Sequence, residues 1–170
     1  MTAFIGFLGV LLGFLLSQWG TSLRELLRGR EAKRLISEEL KSNLGILVQK
    51  REIVVKVLLE LEAEKILPGE SVKFMTNSYD LNLHLAYSHL TPTQRESLHV
   101  IYERAKQADS FLNRFESELL KHLDLKLIDN PYSMFAVRMK EILESFDVIE
   151  NLSEKYIDGL PVDVFRRLSK

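Results

Sequence analysis

The chain opens with an apolar stretch that admits few folds. Residues 3–16 read AFIGFLGVLLGFLL, and the first 20 residues carry no charged side chain. With Ser17, Gln18 and Trp19 the stretch reaches roughly 18 residues, which as an α-helix is about 27 Å long. That length is short but sufficient for a hydrocarbon core of about 30 Å. We therefore predict a transmembrane anchor over residues 1–20, with Trp19 as its interfacial anchor.

A cleaved secretory signal and a buried helix of a soluble body are the two alternatives for this stretch. A secretory signal needs basic residues before its apolar run and a small-x-small cleavage site after it. No basic side chain precedes Phe4, and Ser17-Gln18-Trp19 does not fit the cleavage pattern. The sequence therefore favours a retained membrane helix, and the buried helix remains open as the second choice.

The segment after the apolar stretch is basic, with five cations against Glu25 and Glu31. The cations are Arg24, Arg28, Arg30, Lys33 and Arg34. Positive residues stay on the cytoplasmic side of a membrane helix and contact anionic headgroups. We predict a basic juxtamembrane helix start over residues 21–35 and a cytoplasmic body over residues 36–170. The N-terminus then lies outside a single-pass cell (inner) membrane.

Small residues share one side of the predicted anchor. At about 100° per residue they fall within an arc of about 80°. The set is Gly6, Gly9, Gly13, Ser17 and Gly20. Small-x-x-x-small faces let two helix backbones approach closely in lipid, although glycine is also common in membrane helices generally. We predict membrane helix packing through this face, with a second copy or with another membrane protein.

The remaining chain has helical periodicity almost throughout. A first cytoplasmic helix is predicted over residues 21–67, ended by Pro68-Gly69, and Ser71 is predicted to cap the next one. Residues 78–90 alternate with period two, so a strand is an alternative there. A lone strand would have no partner, which favours helix. The apolar positions of the first helix are Ile36, Leu40, Leu47, Val54, Leu58 and Leu61.

Two further apolar seams follow. Thr91 and Pro92 give a helix start, and Asn130-Pro131 separates the two seams. The first seam contains Leu98, Ile101, Ala105, Ala108, Leu112, Phe115 and Leu119; the second contains Phe135, Met139, Ile142, Phe146, Ile149, Leu152 and Tyr156. Beyond Gly159, a short terminal helix is predicted from Val162, Phe165 and Leu168. The predicted fold is all-α: an N-terminal transmembrane helix, then an antiparallel bundle of about four helices plus the terminal helix.

Composition and motifs give no sign of catalysis or of a cofactor. The chain has no cysteine, and its formal net charge of −1 argues against a nucleic-acid partner. Glu96 and His99 have the Glu-x-x-His spacing of di-iron bundles, but such a site needs a second pair, which the sequence lacks. The helical wheel predicts that both side chains face water.

The layout resembles that of small uncharacterised prokaryotic proteins with one membrane helix and a helical cytoplasmic domain. The resemblance rests on the anchor, the basic segment, Glu39-Leu40 with Asn43-Leu44, and the isolated positions Pro92, Tyr102 and Asn113. It implies a fold layout, and it implies no activity and no site residues. Independently, Asn43 and Asn113 are interpreted as polar residues at a seam or helix edge that set register between helices.

From these features we expect a membrane-anchored interaction module or accessory subunit of a membrane complex that is not an enzyme. Its expected partners are membrane lipids, another membrane protein or itself, and a cytoplasmic helical protein. The first alternative is a regulatory, stress-response or defence effector that homo-oligomerises through its membrane helix. The second is an enzyme or metal-binding bundle.

Overall fold

The structure is a computed structural model that describes residues 2–67, 71–126 and 128–160; side chains are described for residues 13–14 and from residue 16 onward. Within these ranges the chain has five α-helices, one 3-10 helix and no strand. They are α1 (Thr2–Glu62), α2 (Asn77–Ala86), the 3-10 helix (Tyr87–His89), α3 (Pro92–Leu112), α4 (Phe115–Leu125) and α5 (Pro131–Ile157). The all-α prediction is confirmed, and the period-two stretch is helical.

The core lies where the three apolar seams meet. Every predicted position of the α3–α4 seam and of the α5 seam is buried, as are five of the six α1 positions, with Leu58 packed partly buried against them. α1 packs against α5 on one side and α2 on the other, while α3 also packs on α5. The helical bundle is therefore confirmed, because each amphipathic helix covers the apolar stripe of its neighbours.

The end predicted for the first helix is wrong. α1 ends at Glu62 rather than near Leu67. Glu64 adopts the left-handed conformation with φ 56°, and the Lys65 N–H donates to the Glu60 carbonyl at 2.8 Å. These are the features of a Schellman turn, which normally uses glycine at the left-handed position. A glutamate there gives no sequence signal, so the apolar periodicity overestimates the helix.

The predicted continuous helix through Leu119 is also wrong, because a turn separates α3 from α4. Asn113 is the C-cap of α3, and its N–H donates to the Asp109 and Phe111 carbonyls. α4 begins two residues later at Phe115. Leu112 and Phe115 are three residues apart and both buried, so the seam spacing continues across the turn and conceals it.

Ser71 does not cap a helix. The segment 71–76 is irregular, and α2 begins at Asn77 with Thr76 as an N-cap whose side chain makes no capping hydrogen bond. Ser71 instead accepts a hydrogen bond from Lys50 Nζ at 2.8 Å. At the other end, Gly159 has φ 68° after α5, and the predicted terminal helix with Val162, Phe165 and Leu168 lies outside the described residues.

Over the part of the chain whose side chains are described, no helix carries an apolar stretch of the length needed to cross a membrane. Residues 2–12 and Leu15, which make up most of the predicted anchor, have a described helical backbone but lie outside that part. Gly6 and Gly9 belong to this segment. The transmembrane anchor therefore gains no support from the structure and stays a prediction.

Candidate functional site: the arm of α1 and its junction with the bundle

The first half of α1 projects from the bundle. α1 is one helix of 61 residues, which corresponds to about 90 Å at 1.5 Å per residue. Every side chain described before Gly29 is exposed, and Gly29 is the first buried residue. We call residues 2–28 the arm. Because it makes no buried contact over its described part, its side chains are available to lipid or to another chain.

The described part of the small-residue face is open. A Cβ atom built on Gly13 or on Gly20 has no other described atom within 4 Å, apart from the helix's own neighbouring backbone. Ser17 is exposed, and its carbonyl accepts a hydrogen bond from Thr21 Oγ1 at 3.0 Å. The structure thus places three of the five predicted packing residues on an unobstructed part of the arm.

Large apolar side chains occupy the rest of the arm surface. Trp19, the predicted interfacial anchor, is 74% exposed and Leu23 is 59% exposed. The other exposed apolar side chains of the arm are Phe14, Leu16, Leu26 and Leu27. A single soluble domain rarely exposes so many large apolar side chains together, so this surface points to an interaction with lipid or protein.

The five predicted headgroup residues divide into two groups. Arg24, Arg28 and Arg30 are exposed, and none of them forms an ion pair with a described residue. Lys33 is partly buried and donates to the His89 carbonyl at 3.3 Å and to Gln94 Oε1 at 3.5 Å. The sequence alone did not indicate this division, because the partners of Lys33 come from about 60 residues further along the chain.

Arg34 is held by two glutamates of its own helix. Its Nε donates to Glu31 Oε2 at 2.9 Å, and a second contact joins its guanidinium to Glu38. The hydrogen bond from Arg34 lowers the pKa of Glu31, and the same bond raises the pKa of Arg34. All three side chains are exposed, so this cluster adds little stability. It pairs the charge of Arg34, which lies beyond the arm, with two carboxylates of the same helix.

The junction between the arm and the bundle is built on Gly29. A Cβ atom there would lie 2.2 Å from Cδ2 of His89 and 3.0 Å from the Leu85 carbonyl oxygen. The His89 side chain of the 3-10 helix and the Leu85 carbonyl of α2 therefore lie close against α1, so a larger residue at position 29 would require them to shift. The sequence marks Gly29 only as a weak point of the helix, and nothing local links it to His89, which lies 60 residues further along the chain.

The start of α3 is fixed to the same junction. Thr91 and Gln94 form a capping box: Gln94 N–H donates to Thr91 Oγ1 at 3.2 Å, and Thr91 N–H donates to Gln94 Oε1 at 3.1 Å. The predicted Thr91 cap is confirmed. The Arg95 guanidinium stacks on the exposed Tyr87 ring, with Cζ 3.7 Å from the ring centroid. This cation–π contact ties α3 to the 3-10 helix.

Replacing Gly29 by alanine is expected to destabilise the protein by about 1–3 kcal/mol, because the methyl group displaces His89 from α1. Gly45→Ala is a matched control on the same helix, since a Cβ at Gly45 meets no other described atom within 4 Å. That control should stabilise by about 0.5–1 kcal/mol, the usual gain for Ala over Gly inside a helix. Urea unfolding of both variants measures the difference, and equal effects would contradict the close approach.

A buried carboxylate joins α1 to α2. Glu39 is buried; its Oε2 accepts from the Ser78 N–H at 2.6 Å, and its Oε1 accepts from the Tyr79 N–H at 3.1 Å. Oε1 also accepts from the Tyr102 hydroxyl at 2.7 Å. Burial raises the pKa of Tyr102 far above its usual value, and the hydrogen bond to Glu39 adds to the increase. Glu39 thus supplies the N-terminal cap that α2 lacks in its own sequence.

Two further polar side chains of α1 hold the segment before α2. Asn43 donates to the Met75 carbonyl and accepts from the Met75 N–H, both at 2.8 Å. Lys50 is 1% exposed and lies 2.6 Å from Asp109 Oδ1. Asp109 Oδ2 in turn accepts from the Phe74 N–H at 2.9 Å. Each contact replaces backbone hydrogen bonds that this irregular segment cannot make with itself.

The described residues hold no group of three or more His, Asp or Glu side chains placed to bind a metal ion. Glu96 and His99 are both exposed, as the helical wheel predicts. A cleft of about 390 Å³ lies between α3, α4 and α5 and is lined by Arg104, Arg138, Glu118 and Glu141 among others. Two arginines and two glutamates leave it formally neutral, and Arg138 already donates to Glu141 at 2.7 Å.

The fold and this site define a class: a helical bundle carried on one long helix whose arm is exposed wherever its side chains are described. Comparisons of the chain with protein-family models, with curated proteins and with solved structures found no match.

Proposed function

We propose that the chain is a membrane-anchored helical interaction module, without catalytic activity, that serves as an accessory subunit of a membrane complex. The observation that carries the proposal is the exposed arm, which continues into the bundle as one unbroken helix. Its first 20 residues are uncharged, and basic residues follow directly. In this arrangement residues 1–20 anchor in the cell membrane, and the bundle lies on the cytoplasmic side.

The small-residue face gives the arm a partner of defined chemistry. Gly13 and Gly20 are unobstructed, and Gly9, Gly13 and Ser17 follow at intervals of four. A helix with small residues on its contact side packs against such a face at short interaxial distance. We propose a helix of a larger membrane protein as the occupant, while the bundle offers its exposed surfaces to a cytoplasmic helical protein.

A regulatory protein that homo-oligomerises through its anchor is the second candidate. The same open face favours it, because two copies of a small-residue face fit one another as well as they fit a different helix. Purification of the full chain in mild detergent separates the two candidates. A stoichiometric second protein supports the accessory subunit, and a pure homo-oligomer supports the regulator.

Substituting both Gly9 and Gly13 by leucine tests the shared premise. The bulk should prevent close helix approach and reduce the cross-linked fraction about tenfold, which corresponds to about 1.4 kcal/mol. Insertion, measured as resistance to alkaline carbonate extraction, should not change. Leu11→Phe with Leu15→Phe is the matched control, because these substitutions add bulk on the opposite side of the helical wheel. Cross-linking that stays at the wild-type level in the glycine variant would rule out the packing face.

A reporter fused after Lys170 tests the orientation. The positive-inside bias predicts that it is cytoplasmic, since five of the first seven charged residues are basic. Activity on the far side of the membrane would reverse the proposed topology.

A further inference from the structure

We propose that the arm-side end of the bundle docks on the anionic lipid surface of the membrane that anchors the arm. The docking surface consists of Arg24, Arg28, Arg30, Lys33, Tyr87 and Arg95. The inference rests on the proposed anchor. It adds that lipid headgroups bind the end of the bundle, so that the bundle itself contacts the membrane. Half of the surface comes from the 3-10 helix, from α3 and from the base of α1 inside the bundle.

The height of the bundle above the membrane follows from the helix. Nine residues separate Gly20 from Gly29, which is about 14 Å of helix. The headgroup layer beyond the hydrocarbon is about 5–8 Å thick on each side. The first buried layer of the bundle therefore lies about 6–9 Å beyond the headgroups, which is about one Debye length at physiological ionic strength. The side chains of Arg24, Arg28 and Arg30 span much of that gap, whereas Lys33 donates within the bundle.

The range of possible heights is narrow because α1 contains no break. The helix passes through Gly20 and Gly29 without interruption, although the sequence marks Gly29 as a weak point of the helix. At Gly29 the helix is also clamped by His89 and Leu85. A continuous helix keeps the arm-side end of the bundle within reach of the headgroups, and the tilt of α1 then determines whether the docking surface contacts them.

The positive charge of the docking surface favours an anionic lipid surface as its partner. Arg24, Arg28 and Arg30 are exposed and form no ion pair with a described residue, so their charges are available to a ligand. At about 100° per residue, Arg24 and Arg28 lie on one side of α1, and Arg30 lies about 120–160° away from them. Glu25 on α1 and Glu96 on α3 are exposed acidic residues that have no basic partner among the described ion pairs. Three cations on two sides of one helix suit an extended anionic plane better than one bound ion.

The bundle contributes an aromatic and a cation beside these three arginines. Tyr87 is exposed, and Arg95 stacks on its ring. Lys33 reaches across to the His89 carbonyl and so brings the 3-10 helix level with the basic segment. An exposed tyrosine with an adjacent arginine is the kind of pair that lies at headgroup level in membrane proteins. These residues give the surface a second point of contact, away from the α1 axis.

The experiment uses the full chain, which has no cysteine of its own. Ser88→Cys places a single exposed thiol in the 3-10 helix for an environment-sensitive dye. The labelled protein is inserted into nanodiscs of phosphatidylcholine alone or with about one third phosphatidylserine. Headgroup spin labels then quench a dye that lies at the surface. Ser133→Cys in the first turn of α5 is the control label, because its exposed side chain lies at the opposite end of that helix from the docking surface.

We expect strong quenching at Ser88→Cys in the anionic discs, reversed by high salt, and none at Ser133→Cys. Neutralising Arg24, Arg28 and Arg30 together to glutamine should lower the docking constant by about 100-fold, since each cation near the surface contributes about a factor of five. These three side chains are exposed, so the variant keeps its fold, which circular dichroism verifies.

Each other outcome decides against the inference. Equal quenching in neutral and anionic discs would show that docking does not depend on electrostatic attraction to the lipid. No quenching in either kind of disc, with the chain still inserted, would overturn the docking surface while leaving the proposed anchor intact. Displacement of the dye from anionic discs by an added acidic polypeptide would assign the surface to a protein partner. A chain that fails to float with the discs at all would overturn the proposed function together with this inference.

Discussion

Replacing Lys50 by methionine is expected to destabilise the bundle by about 3–5 kcal/mol, the usual cost of leaving one member of a buried ion pair unpaired. Lys50 is 1% exposed, and its ammonium group lies 2.6 Å from Asp109, which is 13% exposed. Methionine fills a similar volume but leaves the Asp109 charge in a poorly solvated site. The ammonium group also contacts the face of Phe74 at 4.9 Å, so part of the segment before α2 should loosen as well.

Two further variants identify the cause of that loss. Lys50→Met with Asp109→Asn removes both charges while the amide oxygen still accepts the Phe74 N–H, so it should recover most of the stability. Arg138→Met breaks an exposed pair with Glu141 and should cost no more than about 0.5 kcal/mol. Chemical unfolding at neutral pH measures all three. A loss below about 1 kcal/mol for Lys50→Met would mean that the charge of Asp109 is solvated in the variant.

Glu39→Ala is the second substitution with a large expected effect. It leaves three donors without an acceptor: the Tyr102 hydroxyl and the N–H groups of Ser78 and Tyr79. Each buried unsatisfied group costs about 1–3 kcal/mol, so a total of about 3–5 kcal/mol is expected once some water enters. The first turn of α2 should open first, which amide hydrogen exchange at Ser78 and Tyr79 would detect.

The neighbouring glutamate is the control for this change. Glu38 also lies on α1 but is exposed and pairs only with Arg34, so Glu38→Ala should change stability by about 0.5 kcal/mol or less. Glu39→Gln should fall between the two, because an amide oxygen accepts while its NH₂ group faces donors. Unchanged exchange at the start of α2 in Glu39→Ala would show that another group caps this helix.

Periodic apolar positions made most of the helical framework predictable. The α3–α4 seam and the α5 seam are buried as their spacing predicts, because a helix of period 3.6 has to cover its apolar stripe. The ends of the helices were less predictable from the sequence. Glu64 in the left-handed conformation ends α1 without a glycine, and the turn at Asn113 preserves the seam spacing. Neither event changes the hydrophobic pattern, so the sequence predicts a longer helix in both places.

The contacts that hold the irregular segment could be predicted only in part. Asn43 is indicated by its sequence as a polar residue at a seam, and the structure places it buried against Met75. Glu39 and Lys50 lie four residues before and seven residues after it, on the same face of α1. That spacing is a detectable signal of a polar stripe, but its partners lie 21–63 residues away. Only tertiary structure could identify them.

The partner of the arm, unlike these internal contacts, is identified neither by the sequence nor by the structure. Arm side chains such as Trp19 and Leu23 touch nothing in the bundle, so no internal contact of the chain determines what covers them. Their pattern predicts a class of environment, lipid with one helix-packing side, because small and large residues segregate around the helix. The sequence of this chain does not identify the neighbouring helix, because that identity depends on the sequence of the partner.

The unbroken α1 also has a mechanical consequence. Trp19 and Glu62 belong to the same helix, and the 43 residues between them span about 65 Å. A transmembrane helix changes its tilt when the bilayer thickness or its helical neighbour changes. With Trp19 as the pivot, a 10° change in tilt would swing the far end of the bundle by about 11 Å. In the proposed membrane-anchored arrangement, the helix would convert a small change in tilt inside the membrane into a large displacement of the bundle surface furthest from it.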